Sequence, residues 1–178
     1  MLIVAACSLV LPITSCSKAP EDEMLEACKD GDWAAMQNVF DRNPDILQGD
    51  KGVDILIEAC KAEKADIAAK LIQAGVDVDG MSSGGVTPLV FSLRTDKPRM
   101  VKLLLRYDAD PNKSAGTFEL HPIFYAIRSG NIQNLSLLIE AGTNVNVKTS
   151  LGWTPLHVAV NTNTTNAQPR YSSAVSEI

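Results

Sequence analysis

The sequence predicts an all-α repeat array, and three observations carry that prediction. A short unit with a helix-start signature recurs at a nearly constant interval. A second apolar helical stretch follows the copies in phase, and each second stretch ends on a residue type that tolerates a left-handed stop. The unit is clearest in Leu151 to Val160, Leu-Gly-Trp-Thr-Pro-Leu-His-Val-Ala-Val. Thr154 can cap a helix with its hydroxyl, and Pro155 at the first helical position gives up only an amide that has no intrahelical partner. Leu156 and Ala159 then share one helical face. The same slots hold His121-Pro122-Ile123, Thr87-Pro88-Leu89, Asp54-Ile55-Leu56 and Asp22-Glu23-Met24, at steps of 33, 34, 33 and 32 residues backwards along the chain. Four of the five capping slots hold Asp or Thr, so interval and chemistry repeat together.

The second helices are Ile67-Ala68-Ala69-Lys70-Leu71-Ile72, Met100-Val101-Lys102-Leu103-Leu104-Leu105 and Leu135-Ser136-Leu137-Leu138-Ile139. Their expected stops are Gly75, Asp108 and Gly142, with Asn43 in the first copy. Polar hairpins follow. The period and the run Thr154-Pro155-Leu156-His157-x-Ala159 resemble the ankyrin repeat. The resemblance covers Asp22 to Val160, is strongest in the last three copies and weakest in the first. It implies an ankyrin-repeat solenoid of helix–turn–helix–hairpin units, with about four full repeats and an incomplete fifth.

Composition narrows the function. A net charge of −5 argues against a nucleic-acid partner, because nothing neutralises a phosphate backbone over a long stretch. With 46% apolar but only 5% aromatic residues, small aliphatic side chains must do the packing. In a repeat array each unit buries its face on its neighbours, so 178 residues suffice for one such domain.

Along the chain, residues 1–15 carry no charge and read apolar from Leu2 to Ile13, too short to span a bilayer but the right length for the core of a signal peptide. They run into Ile13-Thr14-Ser15-Cys16, which resembles the bacterial lipoprotein cleavage box and implies acylation of Cys16. A signal peptide usually opens with a basic residue, whereas here none precedes Lys18. The other reading is an apolar first helix of a cytosolic protein. The expected organisation is a signal peptide over 1–15, a lipidated tether over 16–21, the repeats over 22–160, and a polar insertion with a truncated last repeat over 161–178. The linker Ser17 to Glu21 reaches about 17 Å when extended, so a lipidated chain would hold its repeats against a membrane. The polar run Asn161 to Asn166 is expected to form no periodic element. The Leu135/Leu138/Ile139 face is then poorly covered.

Several constellations invite a catalytic reading and fail it. Gly80-Met81-Ser82-Ser83-Gly84 fits a serine nucleophile pattern, and Asp108 and His157 follow in hydrolase order. A nucleophile elbow needs a strand before the serine and a helix after it, whereas this motif falls in a hairpin. A serine hydrolase using Ser82 is therefore a remote alternative. His157 is the histidine of Thr-Pro-Leu-His, which the resemblance implies hydrogen-bonds backbone between adjacent units, and His121 replaces a capping Thr. Neither has carboxylates in register for a metal site. There is no phosphate-binding or dinucleotide fingerprint, so no cofactor and no small-molecule substrate are expected. Cys28 and Cys60 sit one repeat apart, farther than a disulfide spans, and read as buried small hydrophobes.

Binding is better supported. The resemblance implies a concave ligand face made of hairpin tips and the exposed side of each first helix. The tips include Ser83, Val86, Phe118, Leu120, Leu151 and Trp153; the helix slots are Lys29, Lys61, Arg94 and Arg128. Four basic residues in one slot form a row suited to an acidic partner. A basic residue there also simply meets the negative end of its helix. The expected function is a non-catalytic protein-binding module, lipid-anchored in the bacterial envelope and facing the periplasm, with the outer membrane favoured over the inner. Ankyrin lipoproteins of this architecture occur as immunity proteins that neutralise secreted antibacterial toxins, including lipases. The alternative is a periplasmic scaffold or stress-protection subunit that binds a resident protein.

Overall fold

A computed structural model describes residues 18–116 and 119–163. It forms α1 (Pro20–Asp30), α2 (Trp33–Arg42), a 3-10 turn (Pro44–Leu47), α3 (Gly49–Lys61), α4 (Ala65–Gln73), α5 (Pro88–Arg94), α6 (Pro98–Arg106), α7 (Pro122–Ser129), α8 (Ile132–Glu140) and α9 (Pro155–Asn163). The odd-numbered helices pack side by side in chain order. Among the second helices, α4 packs on α6 and α6 on α8. No strand forms among the described residues beyond an antiparallel bridge between Ala115 and Leu120. None of the described helices is long and apolar enough to cross a membrane.

The repeat interval reappears as a column of core side chains. Met24, Leu56, Leu89 and Ile123 occupy one slot of α1, α3, α5 and α7, and none is more than 2% exposed. Burying each such side chain contributes about 1.5–3 kcal/mol. On α9 the same slot holds Leu156, which is 72% exposed.

Both turns of each unit are left-handed where the phase requires it. Gly31, Glu63, Asp96 and Gly130 have φ of 80°, 55°, 54° and 68° and separate the first helix from the second. The second-helix stops Gly75, Asp108 and Gly142 have φ of 100°, 61° and 84°. After each stop, the amides of Val76, Ala109 and Thr143 return to the carbonyls of Leu71, Leu104 and Leu138, each at 3.1 Å. Asn43 departs from the expected left-handed stop. Its φ is −139°, because Pro44 follows and a residue before proline is pushed to extended backbone.

Two expected caps lie inside helices. Pro20 starts α1, so Asp22 falls in an acidic first turn with Glu21 and Glu23, where negative charge suits the helix dipole. The helix thus takes up residues 20 and 21 of the expected tether. In the second unit α3 begins at Gly49, and Asp54 instead accepts a hydrogen bond from the amide of Ser83 in the following hairpin (3.1 Å). Thr87 does cap α5, accepting from the amide of Val90 at 3.2 Å.

Towards the C-terminal end, α9 continues to Asn163, three residues into the stretch expected to be irregular. The face expected to be poorly covered is mixed: Leu138 is fully buried, Leu135 is half-buried and Ile139 is 52% exposed. Leu138 escapes exposure because it turns towards the core that the preceding repeat provides.

Candidate partner-binding face

Lys29, Lys61, Arg94 and Arg128 all stand exposed in the last turns of α1, α3, α5 and α7, each two residues before the left-handed turn. The row is not uniform. Glu58 lies 3.7 Å from Lys29 and 3.4 Å from Lys61, so one carboxylate serves both N-terminal members. Arg94 and Arg128 make no ion pair with a described carboxylate. Both are near enough to Tyr125 for their charges to act on its phenol. Burial raises the pKa of its phenol, and the two guanidinium charges oppose that shift.

The slot three positions before each basic residue shows the same division. It holds Glu26 and Glu58 in the first two units, then Phe91 and Tyr125 in the next two. Glu26 pairs with Lys18, as Glu58 does with the lysine row. Phe91 and Tyr125 are half-buried, and the Tyr125 hydroxyl donates to the carbonyl of Ala115 at 3.1 Å. The first two units therefore neutralise themselves, while the third and fourth present aromatic rings beside unpaired arginines. Neither aromatic was singled out from sequence, although the change of residue type within one slot was there to read.

The hairpins join this surface. Ser82 and Val86 close one, with the Ser82 amide bonding the Val86 carbonyl at 3.1 Å. Thr149 and Trp153 close another at 2.9 Å, and the Gly116 amide donates to the Gly85 carbonyl at 2.8 Å, linking adjacent hairpins. Val86 and Leu120 are half-buried, while Leu151 is 66% exposed. Trp153 and Leu120 pack against Ile123, Phe124 and Val158, which gives Trp153 a structural role as well as an accessible edge. Phe118 and Cys16 lie outside the described residues.

The residues of the hydrolase pattern do not assemble. Ser82 is buried and its hydroxyl donates to the Val86 carbonyl at 2.9 Å, while Asp108 is a helix stop. His157 bonds the Thr154 hydroxyl through Nδ1 at 2.7 Å. That contact lies within its own unit rather than between units as expected, because Thr154 stands one turn away across the helix start. His121 reaches the Asn112 carbonyl at 2.8 Å, an architectural role that leaves α7 without a side-chain cap. Among the described residues no group of three metal-ligating side chains gathers. Cys28 and Cys60 are buried free thiols, and burial pushes both up to about 12.

Stacked helix–turn–helix units with hairpins between them define a repeat protein of the interaction-module class. The family model for ankyrin repeats in three copies matches residues 24–115, and that for ankyrin repeats in many copies matches 123–167. The chain belongs to the ankyrin-repeat family. An ankyrin repeat protein of fowlpox virus is 30% identical over 60% of this chain and 32% of its own length. A glycerophosphocholine phosphodiesterase of Schizosaccharomyces pombe is 27% identical over 60% of this chain but only 9% of its own length. Cyclin-dependent kinase 4 inhibitor B of Bos taurus is 28% identical over 64% of this chain and 86% of its own length. The chain therefore spans a third or less of the first two relatives and most of the third.

Proposed function

We propose that this chain binds another protein, without catalysing a reaction, through the first-helix face of its third and fourth units. The observation that carries the reading is the pair Arg94 and Arg128, exposed in one slot of α5 and α7 with no described acid to neutralise them, in the units whose neighbouring slot holds half-buried Phe91 and Tyr125. Lys29 and Lys61 extend the row but are already paired through Glu58. An acidic patch on the partner meets the arginines, and the aromatic slots with Leu151 and the edge of Trp153 supply the apolar contact. The bovine relative's name describes an inhibitor of an enzyme, which fits a chain of this kind acting by occupying a partner's surface.

The sequence Ile13-Thr14-Ser15-Cys16 adds a location to this reading. Acylated at Cys16, the protein is held at an envelope membrane facing the periplasm, where it neutralises an incoming antibacterial toxin such as a lipase. A resident envelope partner is the alternative, and the coding neighbourhood separates the two, since an immunity protein is encoded beside its toxin. Cys16→Ala should abolish acyl labelling and release the protein from the membrane fraction; unchanged labelling and retention would refute the anchor. For the face, a partner captured from envelope extract is titrated calorimetrically against Arg94→Glu with Arg128→Glu. Opposed like charges cost several kcal/mol, so binding should fall by a factor of about a hundred or more. The control adds charge on the solvent side of α8 by Gln133→Glu with Ser136→Glu. Equal weakening by both pairs would overturn the assignment.

A further inference from the structure

The second helix of the third unit carries a surface that this reading does not use. In the first two units every described lysine or arginine is engaged by an acid, a carbonyl or a ring; Lys64 reaches the Asp30 carbonyl at 3.2 Å, and Lys70 lies 5.2 Å from the Trp33 ring centroid. On α6, by contrast, Arg99, Lys102 and Arg106 are exposed and make no ion pair or side-chain hydrogen bond with any described residue. Their spacing puts them on one stripe of the helix, about 10 Å long. α6 contains no acidic residue.

The stripe is one wall of a groove of about 600 Å³ between α6 and α4. Ala65 and Ala69, four residues apart on α4, and Leu103 supply the apolar lining. At one end Tyr107 accepts a hydrogen bond from Gln73 across the two units at 3.0 Å, which fixes the separation of the helix ends. Small side chains on one wall and cations on the other make a trough shaped for a helix rather than a flat charged surface. Three cations over two helical turns are too few to hold a nucleic acid to a chain of net charge −5.

We propose that this groove is a second interaction surface, which seats an acidic amphipathic helix of a protein partner. Apolar residues of that helix pack on Ala65, Ala69 and Leu103, and carboxylates at matching helical spacing meet Arg99, Lys102 and Arg106. This surface is independent of the first-helix face, because α5 carries Arg94 and α6 carries the stripe.

The probe is a fluorescein-labelled helical peptide of about 18 residues, with glutamates along one stripe and Leu and Ala opposite. A peptide of the same composition in scrambled order serves as the comparison. Fluorescence anisotropy against the full chain should show saturable, salt-sensitive binding of the patterned peptide. Arg99→Gln with Lys102→Gln and Arg106→Gln should weaken it at least ~10-fold at an unchanged melting temperature. Ala69→Gln fills the groove without altering charge and should weaken it as well, whereas Arg94→Glu with Arg128→Glu should leave it unchanged. Absence of binding, equal binding of the scrambled peptide, or full binding by the triple variant would overturn the proposal. So would capture of phosphatidylglycerol vesicles through these cations without capture of the peptide. A null result with the first-helix pair in this assay leaves the function proposed above untouched, since that is read with its own partner.

Discussion

Asp96 accepts a hydrogen bond from Asn134 across a repeat boundary: Nδ2 of Asn134 lies 3.0 Å from Oδ1 of Asp96, and Nδ2 of Asn131 lies 2.7 Å from the same oxygen. The boundary before it is built alike, with the carboxylate of Glu63 paired to Lys97, and the one before that has Lys64 on the Asp30 carbonyl. At three consecutive boundaries, then, the residue just before a second helix (Lys64, Lys97 or Asn131) holds the turn of the preceding unit, and of the three only Asn131 also caps its own helix. Glu63 and Asp96 are also the two left-handed turn residues of the first-to-second helix connection that are not glycine. The interunit bond offsets the backbone strain.

That pairing separates two energies at Asp96. A left-handed conformation costs a non-glycine residue about 1–2 kcal/mol, and a carboxylate hydrogen bond contributes about 1.5–3 kcal/mol, less where solvent reaches it. Asp96→Ala loses the bonds and keeps the strain; Asp96→Gly loses the bonds and relieves it. Urea unfolding should place the alanine variant roughly 2–3 kcal/mol below the parent and the glycine variant about 1 kcal/mol above the alanine one. Equal stabilities for the two variants would show that the turn is unstrained.

Asn134 carries the opposite liability. It is fully buried in a slot where α4 and α6 have Ile67 and Met100, and its Oδ1 has no hydrogen-bond partner. An orphaned buried carbonyl costs about 1–3 kcal/mol, whereas an apolar side chain of matching size removes that cost. Asn134→Met should therefore be neutral to about 1 kcal/mol more stable, since Asn131 still holds Asp96. Asn134→Ala should lose stability through the cavity it leaves. A methionine variant that melts below the alanine variant would contradict this account.

The parts of the fold legible in the sequence were those set by chemistry that repeats. Thr87-Pro88 and Thr154-Pro155 marked helix starts, and Gly75, Asp108 and Gly142 marked stops, because caps and left-handed residues are local requirements. The start of α3 was not legible: Gly49 and Gly52 disfavour a helix, yet packing on the 3-10 turn imposes one. Asn43 misled for the converse reason, since its neighbour Pro44 outweighs its own tolerance of the left-handed region. The basic row was visible as a slot. Its division was half legible: Glu26 and Glu58 give way to Phe91 and Tyr125 three positions earlier, but the Glu58 bridge depends on which side chains meet across the stack.

Gly52 tests the packing claim directly. A Cβ at this position would lie 2.0 Å from the carbonyl oxygen of Leu47, a backbone atom that cannot swing aside. Gly52→Ala should cost roughly 2–3 kcal/mol, as overpacking does, despite the better helix propensity of alanine. Lys51→Ala, one residue away and exposed, should leave the unfolding midpoint nearly unchanged. A more stable Gly52→Ala variant would mean that the 3-10 turn does not pack on α3 this way.

The two thiols make stability fall at alkaline pH. Burial holds Cys28 and Cys60 protonated up to about 12, against an ordinary value of 9.0; Glu58 adds to the shift at Cys28, and the nearby Ser92 hydroxyl opposes it at Cys60. Cys28 also directs its thiol at the Ile55 carbonyl, 3.7 Å away. The folded pKa lies above the unfolded one, so this contribution is whole below pH 9 and is lost between 9 and 12, where only the unfolded thiols ionise. Each thiol should lower the unfolding free energy by about 1.4 kcal/mol per pH unit in that window. Cys28→Ala with Cys60→Ala removes both. The double variant should start less stable, from two small cavities, but decline less steeply, since the lysine and tyrosine titrations are common to both proteins. Alkylation in native buffer supplies the second readout: both thiols should react only as fast as the protein opens. Parallel pH profiles for parent and variant, or rapid alkylation of the folded chain, would show that these cysteines are not sealed between the stacked first helices.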